Sequence, residues 1–83
     1  MVLAVELDKT MMNGGKRAEE CIEFCIGHKN AGWRLIMVTD KVGPELQFVV
    51  DWAKMHGMKF DAYTTTMPKY DKLLRDGVAE MKG

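Results

Sequence analysis

Charge of one sign, cysteine, proline and long apolar runs are all scarce in these 83 residues. Twelve Lys and Arg offset twelve Asp and Glu, so the chain lacks the counterion-release force behind nonspecific nucleic-acid binding, and neither DNA nor RNA is an expected partner. The longest apolar runs, Val2 to Val5 and Leu35 to Val38, fall far short of the ~20 residues of a membrane span, and no membrane association is expected. No charged start leads into an apolar stretch of signal-peptide length, which points to a cytoplasmic address. Two cysteines, Cys21 and Cys25, are too few for a disulfide framework. They stand one helical turn apart without histidines at ligand spacing, which leaves a zinc site incomplete and makes core packing their expected role. A chain of this length has material for one domain, residues 1–83, and every segment should contribute to one core.

What is present is an alternation of short apolar runs with amphipathic stretches. Met1 to Glu6 is apolar and β-prone, and it leads to the turn-like Met12-Asn13-Gly14-Gly15. From Lys16 to Ala31 the period changes. Ala18, Cys21, Ile22 and Cys25 recur at helical spacing while Lys16, Arg17, Glu19, Glu20 and Glu23 take the other surface. Trp33 to Thr39 is a second strand, with a continuous Leu35-Ile36-Met37-Val38 centre suited to a parallel sheet covered on both faces. Gly43 and Pro44 open a second helix, whose inward face is expected at Leu46, Val49, Val50 and Ala53, and His56-Gly57 closes it. Met58 to Tyr63 is expected as the third strand and Thr64 to Met67 as a loop. Tyr70 to Leu74 fits either a fourth strand or a helical turn. His28 and His56 lie late in their helices, where a cation complements the dipole, and the eight methionines fit a role as adaptable filler.

This order predicts an α/β fold: a Rossmann-like parallel sheet of three to four strands with flanking helices, in three layers. Ligands in such sheets sit beyond the carboxyl ends of the strands. The windows to inspect are therefore Glu6 to Thr10, Thr39 to Gly43, Tyr63 to Lys69 and Arg75 to Val78. The first places two carboxylates, Glu6 and Asp8, two residues apart at a strand end, an arrangement suited to phosphoryl transfer. The segment Val5-Glu6-Leu7-Asp8-Lys9-Thr10 resembles the first motif of the haloacid dehalogenase-like (HAD) phosphohydrolases, an apolar strand ending in Asp-x-Asp-x-Thr. Leu35 to Thr39 resembles their second motif. Trp33 to Asp40, Trp52 to Gly57 and Phe60-Asp61-Ala62 are similar to small capless members, and Pro68 to Asp76 resembles their last strand with its lysine and terminal acids.

The resemblance implies a minimal HAD-like domain acting on or binding a small phosphorylated molecule with Mg²⁺. It puts Glu6 at the nucleophile position, Asp8 at the acid/base position, Thr39 and Lys69 on the phosphoryl oxygens, and Glu6, Asp8 and Asp76 around the metal. In that chemistry a carboxylate attacks phosphorus, a second one moves protons, and Mg²⁺ offsets charge. Three departures bear on activity. Glu6 carries one methylene more than aspartate, and a misplacement of ~1 Å can cost about a hundredfold in rate. Arg75 stands where the family has an acid, and Lys9 where it commonly has glycine. Weak or lost turnover is therefore expected. The alternative is a non-catalytic binding or assembly domain that keeps the fold, with Phe48 and Trp52, four residues apart, forming a surface for a second copy. A third reading is a DsrE-like sulfur-relay protein, which the segments Gly57 to Met67 and Leu73 to Val78 resemble. The reactive cysteine that reading requires near Tyr63 is missing.

Overall fold

The computed structural model describes residues 1–7, 15–75 and 78–81. Seven elements follow in chain order: β1 (Val2–Glu6), α1 (Lys16–Asn30), β2 (Arg34–Val38), α2 (Gly43–Met55), β3 (Ala62–Thr64), β4 (Lys72–Arg75) and β5 (Val78–Met81). They form one sheet in the order β3-β2-β1-β4-β5. The first four strands are mutually parallel and β5 runs antiparallel to β4. The α/β class with a four-stranded parallel core is thus present, extended by one antiparallel edge strand. Among the described residues no helix is long and apolar enough to cross a membrane.

β1 is the centre. Leu3 pairs with Leu35 on one side and Lys72 on the other, and Val5 with Met37 and Leu74. Leu3, Ala4 and Val5 are each fully buried, which is why the run is continuously apolar rather than alternating. The pleat sends Leu3, Val5, Leu35 and Leu74 to one face, where they cluster with Cys21 and Cys25 of α1 and Trp52 and Ala53 of α2. Both helices therefore cover the same face. The strand order explains this: β1 to β2 and β2 to β3 step in the same direction, and right-handed crossovers stepping one way fall on one side of a sheet. Among the described residues the helices make a single layer, so the expected flanking of both faces is not found in them.

The other face carries Ala4, Ile36 and Leu73, which are also buried. Residues 65–71 run from the carboxyl end of one edge, past β2 and β1, to the amino end of β4. Three inter-strand steps and the length of a strand require roughly 17–20 Å, which seven nearly extended residues can supply and a helix of that length cannot. The step is reversed in direction, so a right-handed crossover falls on the face that the helices leave open.

Strand boundaries differ from expectation for a specific reason. β3 begins at Ala62 rather than Met58 because residues 58–60 bring the chain back from α2: the Met58 N–H donates to the Ala53 carbonyl at 2.9 Å, and its side chain enters the core. Pairing starts at Asp61, whose N–H donates to the Leu35 carbonyl at 2.8 Å while its carboxylate accepts from the Leu35 N–H at 2.9 Å. Asp71 repeats the device before β4, with its N–H on the Val2 carbonyl at 2.9 Å and its carboxylate accepting the Val2 N–H at 2.7 Å. Each aspartate clamps the register of the strand that follows. Residues 72–75, for which a helical turn was the competing expectation, are a strand.

α2 is rotated from its expected orientation. Val49, Trp52 and Ala53 are its buried residues, while Leu46 and Val50 are half-buried. Trp52 is 5% exposed and belongs to the core, whereas Phe48 is 59% exposed. The two do not form the shared apolar surface expected of them, because burying the indole against the sheet turns Phe48 outward. Cys21 and Cys25 are free, buried thiols in the core, as expected. Their mutual hydrogen bond and burial push the Cys25 thiol up, away from reactivity. His28 bonds through Nδ1 to the Phe24 carbonyl at 2.8 Å and through Nε2 to Lys72 Nζ at 2.9 Å, so it joins α1 to β4. His56 lies against Trp52, ring centroids 4.9 Å apart.

Two stability outcomes follow. Trp52→Ala is expected to cost about 3–5 kcal/mol in urea melts, and Phe48→Ala less than about 0.5 kcal/mol. Similar losses for the two would contradict the rotation of α2. For Asp61, the Lys29 ammonium first, at 2.8 Å, and then the Leu35 N–H hold the carboxyl below its usual range. A depressed carboxylate contributes stability above the ordinary value of about 3.9 and loses it as pH falls through the lower folded value. Asp61→Asn is therefore expected to lower stability at neutral pH by about 1 kcal/mol, with the gap closing in acid. A gap that stays constant with pH would remove the charge from the explanation.

Candidate functional site

In a parallel sheet whose chain first winds one way and then the other, the loops beside the reversal splay apart and leave a crevice at the carboxyl ends. Here the reversal separates β2 from β4 on the two sides of β1, so the ends of β1 and β4 are where such a crevice is expected, and the segments that follow them, 8–14 and 76–77, lie outside the described residues. Those ends are Glu6 and Arg75, which are register partners. By alternation both project to the face away from the helices, as Ala4 and Leu73 do. Arg75 Nε donates to Glu6 Oε2 at 3.0 Å, with the side chains 47% and 32% exposed respectively. The carboxylate at the end of β1 is thus met by a guanidinium of the same chain.

A second constellation lies at the same end, on the helix side. Thr39 follows β2, and its N–H donates to the Thr64 carbonyl at 2.9 Å, extending the ladder one step. Its Oγ1 accepts the Lys41 N–H at 3.2 Å, which folds the chain toward α2. Thr64 turns the chain after β3 in a similar way, its Oγ1 accepting the Thr66 N–H at 3.1 Å. Thr39, Lys41, Leu46, Tyr63, Thr64 and Thr65 line an open cleft of about 310 Å³. Lys41 is half-buried there, and its ammonium is only loosely held, 3.8 Å from Asp40 and 3.7 Å from Glu45. α2 begins beside it with Pro44 in its first turn and no side-chain cap. The Thr39 hydroxyl and the Lys41 ammonium can hold an anion there, while the Thr64 hydroxyl donates to the Thr66 carbonyl at 3.2 Å. Burial pushes the Tyr63 phenol up, so it stays a neutral donor.

The nominated residues are distributed as follows. Glu6 and Thr39 share the carboxyl end of the sheet on neighbouring strands, but the pleat directs them to opposite faces. Lys69 is exposed on the 65–71 connection, two residues before Asp71, which is bonded to Val2 at the amino end. It is therefore not brought to the Glu6 end. Asp8 and Asp76 lie outside the described residues, as does Lys9. Lys41, Tyr63, Thr64 and Thr65 were not nominated individually, although each falls in a window that the strand ends had marked.

Magnesium needs oxygen ligands, usually one or two of them carboxylates, beside substrate phosphate. Among the described residues no three His, Cys, Asp or Glu side chains converge on a point. The single nominated ligand among them, Glu6, is engaged by Arg75. The described residues do not fit the ion.

Compared with known proteins, the chain matches no family model, no curated protein and no solved structure.

A double-mutant cycle on Glu6→Gln and Arg75→Met tests the pair. Both groups are partly exposed, so the expected coupling is about 0.5–1 kcal/mol at low salt, shrinking as salt is added. Zero coupling at low salt would mean that the contact is not maintained in solution.

Proposed function

We propose that this chain is a HAD-like α/β domain that binds a small phosphorylated molecule without turning it over, in a cytoplasmic setting. The observation that carries the reading is the 3.0 Å contact between Arg75 and Glu6. A carboxylate attacks phosphorus only if its oxygen is presented at about 3–3.5 Å along the line of displacement. Glu6 instead directs that oxygen to a guanidinium, and its extra methylene displaces it further from an aspartate's place. The contact competes with the first step of the family's chemistry, while Thr39 and Lys41 keep the means to hold phosphate.

The competing reading is a working Mg²⁺-dependent phosphohydrolase whose acids include Asp8 and Asp76. It is favoured only by the sequence pattern. Sulfur relay gains no support, since both thiols are inside the core.

Two measurements separate the readings. Inorganic phosphate or vanadate is expected to raise the melting temperature equally with Mg²⁺ and with EDTA, and Thr39→Val with Lys41→Gln should abolish that rise. p-Nitrophenyl phosphate is expected to remain uncleaved. Mg²⁺-dependent cleavage that disappears in Asp8→Asn would overturn this reading in favour of the enzyme. No phosphate-induced stabilisation in either condition would remove the binding function as well.

A further inference from the structure

A second cavity, of about 360 Å³, lies at the other end of Tyr63, between the carboxyl end of α2 and the edge strand β3. It shares Tyr63 with the threonine cleft but none of that cleft's charged groups. Met58, 2% exposed, provides an apolar lining, and Phe60 and Tyr63 stand beside it with ring centroids 5.7 Å apart and planes at 49°. β3 ends the sheet, so among the described residues no further strand covers the opening. Gly57, at φ +73°, turns the chain there without a side chain to fill the entrance.

Two lysines, Lys54 and Lys59, complete the lining, and both are exposed. Among the described residues neither makes an ion pair or a hydrogen bond to an acid. Three of the last helix carbonyls are already engaged by backbone. Trp52, Ala53 and Lys54 carbonyls accept the N–H groups of His56, Met58 and Gly57 at 3.2, 2.9 and 3.1 Å. In a chain of zero net charge, two uncompensated ammoniums at the mouth of an aromatic cavity are a local excess that a ligand anion would offset.

We propose that this cavity binds a small aromatic anion, its ring system against Phe60 and Tyr63 and its carboxylate, sulfonate or phosphate between Lys54 and Lys59. The volume lies at the low end of the ~300–1,000 Å³ of small-ligand pockets, which suits one or two fused rings. The aromatic walls offer offset or edge contacts to a ring, and the half-buried phenol of Tyr63 adds a donor. The site does not depend on the phosphate-binding role of Thr39 and Lys41.

The test is a titration of the ¹⁵N-labelled chain with naphthalene-2-sulfonate and with its uncharged counterpart 2-naphthalenemethanol. The sulfonate is expected to shift the amides of residues 54–63 and to bind about tenfold tighter than the alcohol, the increment of two exposed charge contacts. Lys54→Gln with Lys59→Gln should reduce its affinity to that of the alcohol while the melting temperature stays that of the parent chain, since both side chains are exposed. Equal affinity for the two probes, unchanged binding in the double variant, shifts centred elsewhere, or no binding of the sulfonate would each overturn the proposal.

Discussion

Burial of Leu3, Ala4 and Val5 on both faces of the central strand is the constraint on which the rest of the structure depends. Three consecutive apolar residues without solvent contact require cover above and below the sheet. Two helices supply it on one side, and residues 65–71 link β3 to β4 without a helix. That link brings β4 to the free edge of β1, and this reverses the direction in which the sheet grows. The reversal in turn sets Glu6 opposite Arg75. The Glu6–Arg75 contact is thus a consequence of the strand order.

At the ends of β1 and β4, the Glu6 carboxylate meets an internal cation, Arg75. The polar groups suited to binding are displaced toward β2 and β3, on the side of the helices. There Tyr63 separates two cavities of different character, one lined by threonines and Lys41, the other by aromatic rings and two lysines. The first carries hydroxyls beside a lysine that sits between Asp40 and Glu45, the second apolar walls beside two exposed lysines.

The elements whose sequence signal is local were legible: β1, α1, β2 and α2 follow from continuous apolar runs, helical spacing and Gly-Pro punctuation. The starts of β3 and β4 were not, because Asp61 and Asp71 fix them through hydrogen bonds to Leu35 and Val2, distant in sequence. The face on which α2 buries Trp52 depends on what lies beneath it, which periodicity cannot supply when Phe48, Val49, Val50 and Trp52 are all apolar. That both helices share one face follows from strand order, another long-range property. At the site, Glu6 and Thr39 were recognisable as strand ends, and Arg75 as a departure from the acid expected there. Their mutual arrangement was not legible, since a pair separated by 69 positions and a split across the pleat emerge only with the register.

The most direct examination of the account is an NMR measurement on the Arg75 side chain. If Glu6 holds Arg75, the Arg75 Nε–H gives a distinct, exchange-protected resonance that disappears in Glu6→Gln and does not respond to Mg²⁺. A solvent-averaged signal indifferent to that substitution, together with a Glu6 carboxylate that shifts on adding Mg²⁺, would contradict it.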